Sequence, residues 1–291
     1  MLNLKWSFDI GWQWLLLASI GCIIVHVFIK KSNLWRNLSI CFASIAMLHI
    51  ISFAVVSDES QPNYLHCAAG NGDLLYAKWL VNVRHFDVNR RGDFGMTPIQ
   101  VATQENQLEV ISWLVSSGAD LYTHDNHGRS VLANAALYGK PNTVEYLIKL
   151  APDLIENQDK QGLTPLFLAC ANGKLENIQC LLKHKANPFQ CDNKKNTLLH
   201  IAISCKDMPT IQFIAATYPS FINMANKYNV SSLHMAAENN NFDIISFLLE
   251  HGADANATTN DGRTPADIAT NDAVKILLKK YQETGNLLKK T

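Results

Sequence analysis

Beyond residue 57 the apolar positions fall into short helical stripes. Ile111/Leu114/Val115, Val144/Leu147/Ile148, Ile178/Leu181/Leu182, Ile244/Phe247/Leu248 and Val274/Leu277/Leu278 each place three apolar side chains at i, i+3 and i+4. That spacing is one face of an amphipathic helix. Each stripe follows a shorter segment that opens on Thr or Ser, often with Pro next, and runs into small apolar residues. A hydroxyl there accepts from an orphan backbone N–H as an N-cap, and Pro suits the first helical position because its missing donor costs nothing. The pattern predicts pairs of short helices. The first 56 residues read differently, because 10–29 and 38–56 contain no Asp, Glu, Lys or Arg.

The pairs recur at a fixed period. Thr97-Pro98-Ile99-Gln100-Val101-Ala102 aligns with Thr164-Pro165-Leu166-Phe167-Leu168-Ala169, with Thr197-Leu198-Leu199-His200-Ile201-Ala202 and with Ser231-Ser232-Leu233-His234-Met235-Ala236. Weaker copies open at Asn63, Ser130 and Thr264, so the starts step by 34 and 33 residues in alternation. This resembles the ankyrin repeat, a unit of about 33 residues built around T-P-L-H-x-A. The resemblance implies an all-α solenoid of about seven helix-turn-helix repeats with β-hairpin fingers over 63–281, followed by a tail at 282–291. Gly72, Gly139 and Gly173, nine residues after their starts, are expected to end the first helix in a left-handed conformation. Asn106, Lys206, Asn240 and Ala273 stand there in other copies. His66, His200 and His234 occupy the fourth motif position, and the resemblance implies that they bond backbone in the neighbouring repeat.

The two charge-free runs predict transmembrane helices at 10–29 and 38–56, since about 20 apolar residues cross a bilayer core. A leader at 1–9 precedes them, a basic loop at 30–37 joins them, and 57–62 links them to the repeats. Trp6, Trp12, Trp14 and Trp35 lie at the run ends, where interfacial aromatics belong. The expected localisation is a two-span membrane protein bound to the bilayer through 10–56, with the repeats facing cytosol. The positive-inside rule points the other way. Lys30, Lys31 and Arg36 in the loop favour a cytoplasmic loop, and with it periplasmic repeats on a bacterial inner membrane.

Composition narrows function. The chain has 25 basic and 25 acidic residues, which argues against nucleic acid as partner. Seven cysteines show no CxxC pair, so reduced thiols in a reducing compartment are expected. His124 and His127 are too few for zinc, and neither metal nor cofactor is expected. No phosphate loop, nucleophile elbow or H-E-x-x-H helix is present. The repeats consume almost all of the chain after the runs, which argues against an enzyme, and an unrecognised active site is the weakest alternative. The chain holds 27 Asn, and 19 Lys against 6 Arg. With that bias the architecture is similar to ankyrin effectors that intracellular bacteria secrete into host cells.

What remains is protein binding. The resemblance implies a partner surface on finger tips and the inner face of the first helices, one, three and four residues before each start and seven and eight after it. Phe94, Met96, Leu137 and Tyr138, flanked by Arg129, form an expected apolar patch of hot-spot composition. Lys160, Lys194 and Lys227 are expected to line up as a basic row on successive fingers. Glu105, His127, Tyr228 and Glu238 complete the candidate surface. Cys205 is expected to be exposed toward the same face.

Overall fold

The computed structural model describes residues 63–288, with side chains through Glu283. The two expected membrane spans lie outside the described residues. Among the described residues, no helix is long and apolar enough to cross a membrane.

Seven inner helices line up as α1 (Tyr64–Asn71), α3 (Pro98–Gln104), α5 (Val131–Tyr138), α7 (Pro165–Ala171), α9 (Leu198–Cys205), α11 (Ser232–Glu238) and α13 (Pro265–Ile268). Seven outer helices alternate with them: α2 (Leu74–Asn82), α4 (Leu108–Ser116), α6 (Pro141–Leu150), α8 (Leu175–Lys183), α10 (Met208–Thr217), α12 (Phe242–Glu250) and α14 (Asp272–Leu288). Each inner helix packs on its own outer helix and on the inner helix of the next repeat. Ala68, Ala102, Ala135, Ala169, Ala202, Ala236 and Ala269 sit at one register of the inner helices, and all are buried. A side chain no larger than methyl lets these backbones approach. The outer stripes close the core from behind, with Ile111, Leu114, Val144, Leu147, Ile178, Leu181, Ile244 and Leu248 buried.

The caps form as their residues predict. Ser130 accepts from the Ala133 N–H and Thr164 from the Phe167 N–H. Thr97, Thr197, Ser231 and Thr264 close reciprocal capping boxes with Gln100, His200, His234 and Asp267. Gly72 and Gly173 are left-handed, as are Asn106, Lys206 and Asn240. Gly139 is not, at φ −71°. Pro141 opens α6 and Lys140 before it is extended, as the residue ahead of a proline prefers. A Cβ on Gly139 would stand 2.5 Å from the Ala135 carbonyl oxygen, so close approach rather than handedness requires glycine there. Ala273 lies inside α14.

The fingers are not β-hairpins. Among the described residues the only β pairing is an isolated bridge between Ala225 and Ser231. Each finger instead closes a five-residue turn. The side chains of Asp125, Asp159, Asp192 and Asn226 each accept from the N–H groups two and four residues on, at 2.7–3.1 Å. One polar side chain thus satisfies donors that a strand partner would otherwise take. The fourth residue of each turn has positive φ: Gly128, Gly162, Lys195 and Asn229. Successive tips are joined by single backbone bonds, from Asn126 N to Phe94 O (2.8 Å), Lys160 N to His127 O (3.0 Å), Asn193 N to Gln161 O (3.0 Å), Lys227 N to Lys194 O (3.0 Å) and Asn260 N to Tyr228 O (3.1 Å).

The histidines bridge repeats. His200 Nδ1 accepts from the Thr197 N–H at 3.2 Å, and Nε2 lies 3.0 Å from the Val230 carbonyl oxygen. His234 repeats this with the Ser231 N–H at 3.1 Å and the Arg263 carbonyl at 3.2 Å. Accepting at Nδ1 and donating at Nε2 requires the neutral ring with its proton on Nε2. His66 reaches the Met96 carbonyl in the same way, at 3.0 Å. Gln100 substitutes for the imidazole: its Oε1 accepts from Thr97 N–H at 2.9 Å and its Nε2 donates to the Arg129 carbonyl at 3.0 Å. Burial pushes all three histidines below their ordinary range. The folded array therefore binds fewer protons than the unfolded chain, so stability holds above the unfolded value of about 6.5 and falls as pH drops below it. Replacing His200 and His234 with Gln is expected to flatten that acid-side loss while keeping both bridges. Thermal midpoints across pH 4.5–8 (about two units either side of the imidazole value) check this, and a variant curve parallel to the parent's would refute it.

Candidate partner-binding surface

The finger turns and the exposed ends of the inner helices form one side of the array. The residue four places before each start carries a tip contact to the previous finger. Lys160 Nζ donates to the Asn126 carbonyl at 2.7 Å and Asn193 Nδ2 to the Lys160 carbonyl at 3.1 Å. Lys227 Nζ donates to the Asn193 carbonyl at 3.3 Å and Asn260 Nδ2 to the Lys227 carbonyl at 3.4 Å. Lys160 and Lys227 are thus engaged with neighbouring backbone. Lys194 sits one register later and is exposed. The expected basic row is broken by that one-residue offset.

The expected apolar patch also divides. Leu137 is 8% exposed and belongs to the core, whereas Tyr138 beside it at the end of α5 is 38% exposed. Arg129 Nε lies 4.0 Å from Asp159 Oδ2 and is half-buried rather than open beside Tyr138. His127 is exposed at its tip. Phe94 and Met96 instead line a groove of about 440 Å³ between the first two repeats, with Glu105, Gln104, Val101, Asp93 and Cys67. Tyr228 and Glu238 line a second groove of about 360 Å³ between the last two, with His234, Asp261 and Arg263. Asp93, Cys67, Asp261 and Arg263 had gone unremarked. The repeat register that selected Phe94 and Tyr228 also reaches Asp261, so that signal was present.

Phe94 is set apart by its backbone. It holds φ +54°, a conformation that costs an L-residue about 1–2 kcal/mol, and its ring is 70% exposed. Its carbonyl is tied to Asn126 N–H in the tip ladder, which anchors the backbone that carries the ring.

The thiols do not form a reactive centre. Cys205 is half-buried rather than exposed, donates to the Ala171 carbonyl and is pushed up by burial, as is Cys180. Cys170 is fully buried and its thiol raised furthest. Cys67, Cys170, Cys180, Cys191 and Cys205 are all free, and only Cys67 is exposed. Among the described residues no three His, Cys, Asp or Glu side chains converge as metal ligands.

Comparison with known proteins agrees with this geometry. Models of ankyrin repeats match residues 45–126, 65–157 and 132–224 as three-copy segments, and 214–269 as a many-copy segment. NF-kappa-B inhibitor delta of Mus musculus is 30% identical over 227 residues, covering 66% of this chain and 68% of the relative. Human transient receptor potential cation channel subfamily A member 1 is 26% identical over 203 residues, 68% of this chain but 18% of that protein. The crystal structure of the human ASB11 ankyrin repeat domain superposes with a TM-score of 0.65 at 23% identity, covering 75% of this chain and 97% of that one. The chain belongs to the ankyrin-repeat family.

Glycine at position 94 removes the side chain without the left-handed cost, offset in part by its own backbone entropy. Phe94→Gly is therefore expected to leave the unfolding free energy within about 1 kcal/mol of the parent while weakening partner capture. Urea denaturation beside a capture assay checks both, and a large loss of stability would show the ring to be structural.

Proposed function

We propose that this protein is a non-enzymatic adaptor that holds a protein partner on the finger-and-inner-helix side of its repeat array. The observation that carries this reading is the pair of grooves at the two ends of the array. Each is lined by an exposed aromatic three residues before a repeat start and by a carboxylate at the end of an inner helix. Tyr138 lies between them in sequence. Exposed aromatic anchors in such settings carry most of the free energy at protein interfaces. A photo-reactive side chain at position 138 is expected to crosslink the partner, and one at Gln179 on the exposed face of α8 is not. Tyr138→Ala, without touching buried Leu137, is expected to weaken capture by about tenfold. Equal crosslinking from both positions would refute the assignment.

The adaptor reading extends to a membrane. The runs at 10–29 and 38–56 have the length and composition of bilayer spans, and the reading places the array on the cytosolic side, where free thiols persist. The Asn- and Lys-rich composition supports an ankyrin effector of an intracellular bacterium acting in a host cell. The family match begins at 45, inside the second run, so the same residues have two claims on them. Alkaline extraction separates the two: a spanning chain stays in the membrane pellet. Exposed Cys67 then reports orientation. Labelling by an impermeant thiol reagent from the cytosolic side is expected, and labelling only after the membrane is breached would favour periplasmic repeats and remove the effector reading.

A further inference from the structure

We infer that the groove between the first two repeats receives a basic side chain, an arginine set beside an apolar residue in an extended segment of the partner. This rests on the adaptor reading and names the chemistry of one of its sites. The groove lining carries the carboxylates of Asp93 and Glu105 and neither lysine nor arginine. His66, which also lines it, is held neutral by burial. Asp93 accepts from Asn63 Nδ2 at 2.7 Å, a neutral donor, and no salt bridge engages it among the described residues; the Arg90 charge bears on His66 beside it. Arg91 on the same finger is turned to the His124 carbonyl, 2.8 Å away.

Two other fingers supply their own cation. At the residue just before the repeat start, Arg129 faces Asp159 at 4.0 Å and Arg263 pairs with Asp261 at 3.2 Å. Met96 stands at that register in the first groove. The first groove therefore has two carboxylates and an apolar floor, without the arginine that the groove between the last two repeats includes in its lining. The ring of Phe94, exposed and carried on a backbone at positive φ whose carbonyl is bonded in the tip ladder, offers a π face beside them. A guanidinium stacks on such a ring while its fork meets a carboxylate, and arginine does both better than lysine. The methylene stem and a neighbouring apolar residue would cover Met96 and Val101. The volume, about 440 Å³, is within the ~300–1,000 Å³ of ordinary ligand pockets.

The test selects a phage-displayed library of random short peptides on the full-length protein in detergent micelles. Enriched peptides are expected to carry Arg, or less often Lys, next to an apolar residue. Their affinity is expected to fall as salt rises, to fall at least about tenfold on Glu105→Lys and on Phe94→Ala, and to stay unchanged on Gln179→Lys. Exchanging the peptide arginine for glutamate should restore binding to Glu105→Lys. Enrichment of acidic or uncharged peptides, no enrichment, or equal binding of basic peptides to parent and Glu105→Lys would each overturn the inference. If the partner still crosslinks at position 138 in that case, only the groove's chemistry is overturned and binding by the array stands. If neither occurs, both readings fall.

Discussion

A neutral side chain wedged between the start of one inner helix and the carbonyl that ends the next finger is the tie on which most of the array's repeat boundaries depend. It must accept from an N-cap N–H and donate across a repeat boundary in a single rigid span. Imidazole does this at His200 and His234, and the amide of Gln100 does it equally well. The final repeat makes the logic visible. Asp267 accepts from Thr264 N–H at 2.9 Å, completing the cap, but a carboxylate has no proton to give. Among the described residues no further finger carbonyl stands beyond it to receive one. Ala133 and Phe167 occupy the same position in the third and fourth repeats, where the hydroxyls of Ser130 and Thr164 cap alone.

Where that bridge is missing, other polar groups cross the boundary. Buried Asn177 donates to the Ala136 and Gly139 carbonyls, each at 3.0 Å, and Asn172 donates to the Leu137 carbonyl at 2.7 Å. Gln107 adds a bond to the Gly70 carbonyl at 3.0 Å between the first repeats, beside the bridge that His66 makes there. The last carbonyls of a helix have no partner within it, and here the neighbouring repeat provides one. Each repeat is therefore incomplete in polar as well as apolar terms, and stacking satisfies both at once. That is the physical content of nearest-neighbour stability in a solenoid.

Much of this was legible in the residues because it depends on local chemistry repeated at a fixed period. Thr, Ser and Pro at the helix starts, alanine at the close approach and the i, i+3, i+4 outer stripes all behave as their types dictate. The misreadings share a cause, which is that a one-residue difference changes a side chain's surroundings. Leu137 turns into the core while Tyr138 turns out. Lys194 sits one register from Lys160 and Lys227, so charges that look aligned along the chain do different work. Gly139 is set by Pro141 two residues later, not by its own place in the repeat. The fingers carried a readable signal in Asp125, Asp159 and Asp192, each four residues ahead of a backbone donor it satisfies. That signal describes a side-chain-closed turn and leaves no need for a strand.

The tip ladder explains why function can sit on such short loops. A five-residue turn alone would be mobile, yet each inner tip is bonded to its neighbours on both sides, and the first and last described tips to one neighbour each. The ladder therefore transmits the rigidity of the helical stack to the side chains that face a partner. The fingers also carry a cost where side chains other than glycine occupy left-handed positions, at Phe94, Lys195 and Asn229. Lys195 and Asn229 stand in the turn's fourth place, where glycine serves in other repeats. Phe94 does not: Gly95 fills that place in its finger, so the left-handed backbone at Phe94 is an addition that closing the turn does not demand. A strained backbone beneath an exposed aromatic, next to two carboxylates in a groove lined by neither lysine nor arginine, makes sense when the place of that ring matters to something outside the chain. Anchoring the backbone that carries the ring lowers the ordering cost of contact and leaves only the side chain's own rotamers to be fixed.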